Sequence, residues 1–100
     1  MANIIHSVIF TLKYEPGSVP AETFLADGRR ILTGIPGVKN FRVFRQMSTK
    51  NPHQYGFSME FASLADYASY NSHPHHVGFV ENRWVPEVTS FLEIDYDEIP

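Results

Sequence analysis

The sequence predicts an α+β domain in which helices cover one face of a four-stranded antiparallel sheet, with the element order β-α-β-β-α-β. Two observations support this fold class. Four segments alternate apolar and polar residues as strands do, and the segments between them repeat apolar residues at helical spacing. The 100 residues, 43% hydrophobic and 19% charged, suit one folded domain over residues 1–100 and exclude a disordered chain.

The first strand is predicted from Asn3 to Lys13, where successive side chains point to opposite faces. One face carries Ile4, His6, Val8, Phe10 and Leu12. The other face carries Ile5, Ser7, Ile9 and Thr11. Both faces of this strand are therefore partly apolar.

The first helix is predicted to begin near Pro20, because proline suits a first turn, where its missing N–H costs no hydrogen bond. Apolar residues then recur at helical spacing at Phe24, Leu25, Gly28, Ile31 and Leu32. Gly34 is predicted to end this helix.

Two extended segments follow, the second strand from Val38 to Met47 and the third beginning at Tyr55. A polar loop, Ser48 to Gln54, joins them. The third strand has the clearest alternation, with Tyr55, Phe57, Met59 and Phe61 on one face.

A second helical region should start after Ser63, which has an acidic residue three positions later, as in a capping box. Pro74 cannot continue a helix, so two pieces are predicted, Leu64 to Ser72 and Pro74 to Trp84. The Val85-Pro86 step is predicted to end the second piece.

The last strand is predicted from Ser90 to Tyr96, with Leu92, Ile94 and Tyr96 facing inward. Helices on one side of the sheet cannot cover the apolar residues on both faces of the first two strands. The sequence therefore predicts a homodimer in which two sheets pack face to face.

Charge and composition exclude several classes of partner. The net charge is −3 and only Arg29 and Arg30 are adjacent basic residues, so no nucleic-acid-binding or lipid-binding stripe is expected. No segment has the length of a membrane span, and no leader pattern is recognised, so a cytoplasmic location is expected. The chain has no cysteine, which excludes disulfides and thiolate metal sites.

Several motifs, in this order, carry a family resemblance. They are a strand with His6 near its start, the turn Ile35-Pro36-Gly37, the stretch His73-Pro74-His75-His76-Val77-Gly78-Phe79, and the closing pair Asp95-Tyr96. Together they resemble the stress-responsive dimeric α/β barrel (Dabb) family, over essentially the whole chain. The resemblance implies a ferredoxin-like protomer and a dimeric α/β barrel.

The resemblance also implies candidate site residues. One plant member of the family is a polyketide cyclase that closes a linear thioester by aldol condensation. Its catalytic histidine and tyrosine correspond to His76 and Tyr70, and a further pocket histidine corresponds to His6. His73 and Phe79 are expected in the same ligand pocket. Polar residues at Asn71 and Ser72, where that cyclase is aliphatic, argue against a long alkyl substrate.

The chemistry of this pair suits a carbonyl substrate. A histidine can take and return a proton near neutral pH, and a tyrosine hydroxyl can donate a hydrogen bond to a developing oxyanion. On one unbroken helix, however, Tyr70 and His76 would point roughly 240° apart. A structural alternative therefore stays open, in which Tyr70 packs locally and His73 or His76 satisfies backbone groups.

Two cofactor hypotheses are weaker. His73, His75 and His76 are close in sequence, but a helix break separates them and no carboxylate follows until Glu81, so no metal is expected. A haem site would need one axial histidine and a large apolar cavity, and no cofactor is predicted.

The sequence thus predicts a homodimeric stress-response barrel domain that binds a small organic molecule between sheet and helices. The alternative is a cyclase-like or other lyase acting on a carbonyl compound, with His76 as acid-base and Tyr70 as oxyanion donor. A third hypothesis is a purely structural dimer without a ligand.

Overall fold

The element order of the predicted fold is confirmed by a computed structural model, which describes residues 3–100. The strands are β1 (Ile4–Leu12), β2 (Lys39–Arg45), β3 (Tyr55–Phe61) and β4 (Val88–Asp97). The helices are α1 (Val19–Leu32), α2 (Leu64–Ser72), α3 (Pro74–Phe79) and α4 (Val85–Glu87), with a π-helical turn at Val80–Trp84. No helix within residues 3–100 is long and apolar enough to cross a membrane.

The sheet has the order β2-β3-β1-β4, and all three pairings are antiparallel. The central strand β1 is predicted correctly: its face with His6, Val8 and Phe10 is buried beneath the helices. The alternate face of β1 is only partly buried. This asymmetry defines a helix-covered face and an open face of the sheet.

Helix α1 packs closely on the covered face. Ser18 caps it by accepting a hydrogen bond from the Ala21 N–H at 3.4 Å, and Pro20 lies in its first turn. The helix ends at Leu32, two residues before Gly34. At Gly28 an added Cβ would lie 2.7 Å from the ring of Phe57, so only glycine allows this close approach.

Aromatic rings fill the space between helices and sheet. The largest fully buried side chains are Phe10, Phe24, Phe57, Phe61 and Met59. Phe10 contacts both Phe57 and Trp84, with ring centroids 4.9 Å apart in each case. The core therefore joins β1, β3 and the π-helical turn directly.

The break at Pro74 is confirmed. Ser63 caps α2 by accepting from the Asp66 N–H at 3.1 Å, and His73 leaves the helix with an extended backbone, φ −64° and ψ 136°. Pro74 then begins α3.

The end of this helical region differs from the prediction of one helix ending at Val85-Pro86. Helix α3 ends at Phe79, a π-helical turn follows, and the Val85 N–H donates to the carbonyl of Val80, five residues back. Pro86 does not end the region, because it lies in the first turn of α4, where no N–H donor is needed.

A buried ionic network holds the π-helical turn against α1. Arg83 lies 2.5 Å from carboxylate oxygens of both Asp27 on α1 and Glu87 on α4. The Tyr14 hydroxyl donates to Glu87 at 2.9 Å. The Glu87 carboxylate is almost fully buried, and Tyr14 and Arg83 supply the hydrogen-bond partners that a buried polar group needs.

The orientation of β4 is a correction. Leu92, Ile94 and Tyr96 were predicted to face inward, but Leu92 and Tyr96 pair with Ile9 and Ile5 on the open face. Directly paired residues share a face, and β1 buries its other set. The residues of β4 that face the helices are Phe91, Glu93 and Asp95.

The open face consequently carries a continuous apolar surface. Its apolar side chains come from three strands: Ile5, Ile9, Phe44, Leu92, Ile94 and Tyr96. Phe44, Leu92 and Tyr96 are each about half exposed. We call this set the open sheet face.

Candidate functional site

A cavity of about 260 Å³ lies between the covered face of the sheet and the helices from α2 to the π-helical turn. Four of the five predicted site residues, His6, Tyr70, His76 and Phe79, line it. Its other lining residues are Val8, Leu32, Phe57, Met59, Asn71, Val80, Trp84, Phe91 and Glu93. The polar groups come from β1, α2, α3 and β4, and the remaining wall is apolar.

Tyr70 and His76 lie side by side, with ring centroids 4.4 Å apart. They belong to different helices, Tyr70 to α2 and His76 to α3. The extended backbone at His73 redirects the chain between them and brings both rings to the same cavity. A continuous helix would direct Tyr70 and His76 to different faces, and the break at His73 allows both to face one cavity.

His76 is held in one tautomer. Its Nδ1 lies 3.0 Å from the carbonyl oxygen of Asn71, which can only accept, so Nδ1 carries the proton and Nε2 keeps a lone pair. Burial lowers the pKa of His76 below its ordinary value of 6.5. The side chain is therefore a neutral imidazole at neutral pH and can act as a base.

The Tyr70 hydroxyl remains protonated. Burial, with a smaller contribution from the Glu93 charge, raises its pKa well above 10.0. The Tyr70 side chain is only 2% exposed, and its hydroxyl has no hydrogen-bond partner among residues 3–100. It is a free donor at the cavity wall.

His6 belongs to a hydrogen-bonded group with Asp95 and Tyr67. Its Nδ1 lies 2.6 Å from Asp95 Oδ1, and the Tyr67 hydroxyl donates to Asp95 Oδ2 at 2.8 Å. Because the carboxylate only accepts, Nδ1 of His6 donates to it. Asp95 thus fixes the ring of His6 at the cavity.

Histidine and carboxylate side chains that lie close together can also bind a metal ion. Within residues 3–100 one group of three side chains has ligand atoms within 4.8 Å of one another, namely His6, Glu93 and Asp95. Two ligands of one ion with bonds of about 2.1 Å lie about 3.0 Å or more apart. The 2.6 Å between His6 and Asp95 is instead a hydrogen-bond distance.

The histidine cluster does not converge on one point. His73, predicted for the pocket, does not line the cavity. Its side chain caps α3 by accepting from the His75 N–H at 3.1 Å. The described histidines His73, His75 and His76 do not form a group of mutually close ligand atoms. A cavity of this size is also too small for a haem.

Sequence reasoning missed Tyr67, Glu93 and Asp95 as members of this region. Asp95 was noted only as part of the closing pair Asp95-Tyr96, and Glu93 was given no role. The signal that could have found them is the alternation Phe91, Glu93, Asp95, which shares a face once β4 is paired with β1. Tyr67 carries no such signal, because its role depends on how α2 packs over β4.

The sequence and the structure of this chain match those of known proteins. The model of the stress responsive A/B barrel domain (Dabb) family matches residues 4–98. A Dabb family protein with a ferredoxin-like fold from Mesorhizobium loti is 50% identical, with 100% of each chain covered and a TM-score of 0.97. A search of curated proteins found no match.

More distant solved structures share the fold. A dimeric ferredoxin-like protein of unknown function from Thermobifida fusca is 14% identical, covering 97% of this chain and 92% of its own, with a TM-score of 0.76. A hydroxynitrile lyase from Passiflora edulis is 15% identical, covering 97% and 94%, with a TM-score of 0.84. The family match over nearly the whole sequence places this chain in the stress-responsive A/B barrel domain family, with the ferredoxin-like fold.

Proposed function

We propose that the protein is a homodimer that binds a small organic molecule in the cavity between sheet and helices. The observation that supports this most directly is the convergence of His6, Tyr70 and His76 on one otherwise apolar cavity. Apolar walls with a few convergent polar groups are typical of small-molecule sites. A purely structural dimer would have no need for a free hydroxyl and an imidazole acceptor there.

The proposed dimer uses the open sheet face. Half-exposed Phe44, Leu92 and Tyr96 give this surface a continuous apolar character, which is costly to leave in water. A second copy covers it with the same residues through two-fold symmetry. A relative with this fold, the Thermobifida fusca protein, is described as dimeric, which supports the same arrangement here.

A second candidate function is catalysis on a carbonyl compound, by a lyase or cyclase-like reaction. The observation that favours it is the Tyr70–His76 pair, a free hydroxyl donor beside a neutral imidazole whose Nε2 is unprotonated. A relative with this fold is a hydroxynitrile lyase, so the fold is compatible with lyase chemistry.

The proposed step is a proton transfer. Nε2 of His76 takes a proton from the carbon beside the substrate carbonyl, and the electron pair of that C–H bond forms the enolate. The Tyr70 O–H donates a hydrogen bond to the enolate oxygen, where the negative charge develops. Return of the proton from His76 to carbon completes an exchange reaction. If the enolate instead attacks a second carbonyl carbon, the new C–C bond forms, the π electron pair of that carbonyl moves to its oxygen, and the resulting alkoxide takes the proton from His76.

Acetophenone in D2O tests this step, because each deprotonation replaces a methyl proton by deuterium. NMR of the methyl signal is expected to show exchange faster than in buffer with the wild-type protein. His76→Gln and Tyr70→Phe should each reduce the enzymatic rate by about 100-fold or more. The control His53→Gln changes a loop histidine outside the cavity and should leave the rate unchanged.

The outcomes separate the two functions. Exchange that depends on His76 supports the enzyme. Acetophenone that shifts the amide signals of cavity residues without any exchange supports the binding protein. Exchange that continues at the wild-type rate in both His76→Gln and Tyr70→Phe contradicts the roles of base and hydrogen-bond donor assigned to these residues.

A further inference from the structure

Resting on the function proposed above, we infer that Glu93 makes the cavity selective by charge, admitting uncharged one-ring carbonyl compounds and excluding their carboxylate analogues. Glu93 becomes a specificity-determining residue at the mouth of the site. It does not take part in the proton transfer.

Glu93 enters the site from the edge strand β4. It pairs with Val8 of β1, so its side chain lies on the helix-covered side and lines the cavity with His6, Tyr70 and His76. Its one hydrogen-bond contact among the described side chains is with the Tyr67 hydroxyl at 3.4 Å, and that hydroxyl donates its single proton to Asp95 at 2.8 Å. That contact is too long to neutralise the carboxylate.

No cation balances this charge. The cavity lining contains neither lysine nor arginine, and Glu93 forms no ion pair with any residue in 3–100. The histidines do not supply one for Glu93, because His76 is neutral and His6 is paired with a different carboxylate, Asp95, at 2.6 Å. The charge acts within the site, since it contributes to the raised pKa of Tyr70 after the larger effect of burial.

A carboxylate ligand would gain the Tyr70 hydrogen bond but no cation in exchange for its water, and would face a like charge. Glu93 is exposed, so water screens its charge, and repulsion between two unit charges at 4 Å in bulk water lowers affinity by about fivefold. An uncharged carbonyl oxygen meets no such repulsion and can accept the Tyr70 hydrogen bond.

The size and lining of the cavity favour one ring. A cavity of about 150 Å³ already holds benzene, and the 260 Å³ here leaves room for one short polar substituent. Phe57, Phe79 and Trp84 supply aromatic walls for stacking or edge contacts.

Benzamide and benzoate test the inference, since they have nearly the same shape and differ in charge. Titrations followed by NMR at neutral pH should show benzamide binding about tenfold tighter than benzoate to the wild-type protein. Glu93→Gln should strengthen benzoate binding by about fivefold and leave benzamide binding unchanged. Glu22→Gln, an exposed position on α1, is the matched control and should change neither affinity.

Equal affinities in the wild-type protein, or a ratio that Glu93→Gln does not change, would overturn the charge selection. Failure of benzamide to bind would overturn the one-ring ligand class. Neither result depends on turnover, whereas the proposed catalytic function is judged by the His76-dependent exchange. Each proposal can fail while the other stands.

Discussion

The rings of Tyr70 and His76 lie 4.4 Å apart, although the two residues are six positions apart in the chain. A continuous helix would direct them to different faces. The extended backbone of His73 and the start of α3 at Pro74 bring them together. The helix break is thus the local feature that assembles the candidate site.

The buried imidazole of His76 should make stability depend on pH. Burial holds its folded-state pKa below the unfolded value of 6.5, so the unfolded chain takes up a proton first as pH falls. Above pH 6.5 the ring is neutral in both states and contributes no pH dependence. Below it, the free energy of unfolding should decrease until the folded-state pKa is reached.

Urea unfolding between about pH 7 and about pH 5 measures this effect. His76→Gln should reduce the loss of stability over that interval. The neighbouring groups Tyr70, His6 and Glu93 are the same in both proteins. Identical pH profiles for the two proteins would show that His76 is not buried as described.

The Tyr67–Asp95 hydrogen bond should contribute measurably to stability. Tyr67→Phe removes the donor that lies 2.8 Å from Asp95 and leaves that carboxylate, which is 39% exposed, with one partner fewer. The expected cost is about 1–2 kcal/mol in the free energy of unfolding. Tyr96→Phe, on the open sheet face, removes a hydroxyl with no such bond and should cost less than about 0.5 kcal/mol. Equal effects would contradict the assignment.

Gly28 and Gly78 should respond in opposite ways to alanine. A Cβ at Gly28 would meet the Phe57 ring at 2.7 Å, so overpacking should outweigh the gain in helix propensity. The expected net loss is about 1 kcal/mol. At Gly78 the nearest atom is 3.9 Å away, and the same change should stabilise by about 0.5–1 kcal/mol. Thermal unfolding compares the two, and stabilisation by Gly28→Ala would contradict the packing of α1.

The open sheet face should control assembly. Leu92→Lys places a charge on that face in both copies, so the dissociation constant of the dimer should rise by about 100-fold. Val85→Lys changes another exposed apolar residue, on α4 and away from the open sheet face, and should leave the dimer intact. Sedimentation velocity over a concentration series distinguishes the two. A dimer that survives Leu92→Lys would place the interface elsewhere.

Alternation along a single strand was enough to predict the apolar face of β3 around Phe57, because that set is apolar and regular. For β1 it separated the two faces but did not decide which one the helices cover, because both are partly apolar. It failed for β4, where Leu92 and Tyr96 are as apolar as a core set but lie on the open sheet face. Both faces of this strand are partly apolar, so only its pairing with β1 decides which side meets the helices.

The candidate site was predictable in its residue types but not in its geometry. The convergence of Tyr70 and His76 depends on the angle across Pro74, which tertiary packing sets. The His6–Asp95 contact joins residues at opposite ends of the chain, and no local pattern encodes it.

The π-helical turn at Val80–Trp84 has a consequence for relatives of this chain that vary in length. A π-helical turn contains one residue more than an α-helical turn, and losing that residue rotates the following side chains by about 100°. Trp84 would then leave the cavity it now lines. A single-residue deletion in this turn would thus change the shape of the cavity without replacing any other lining residue. Ligand preference could then diverge among relatives through a change in chain length alone.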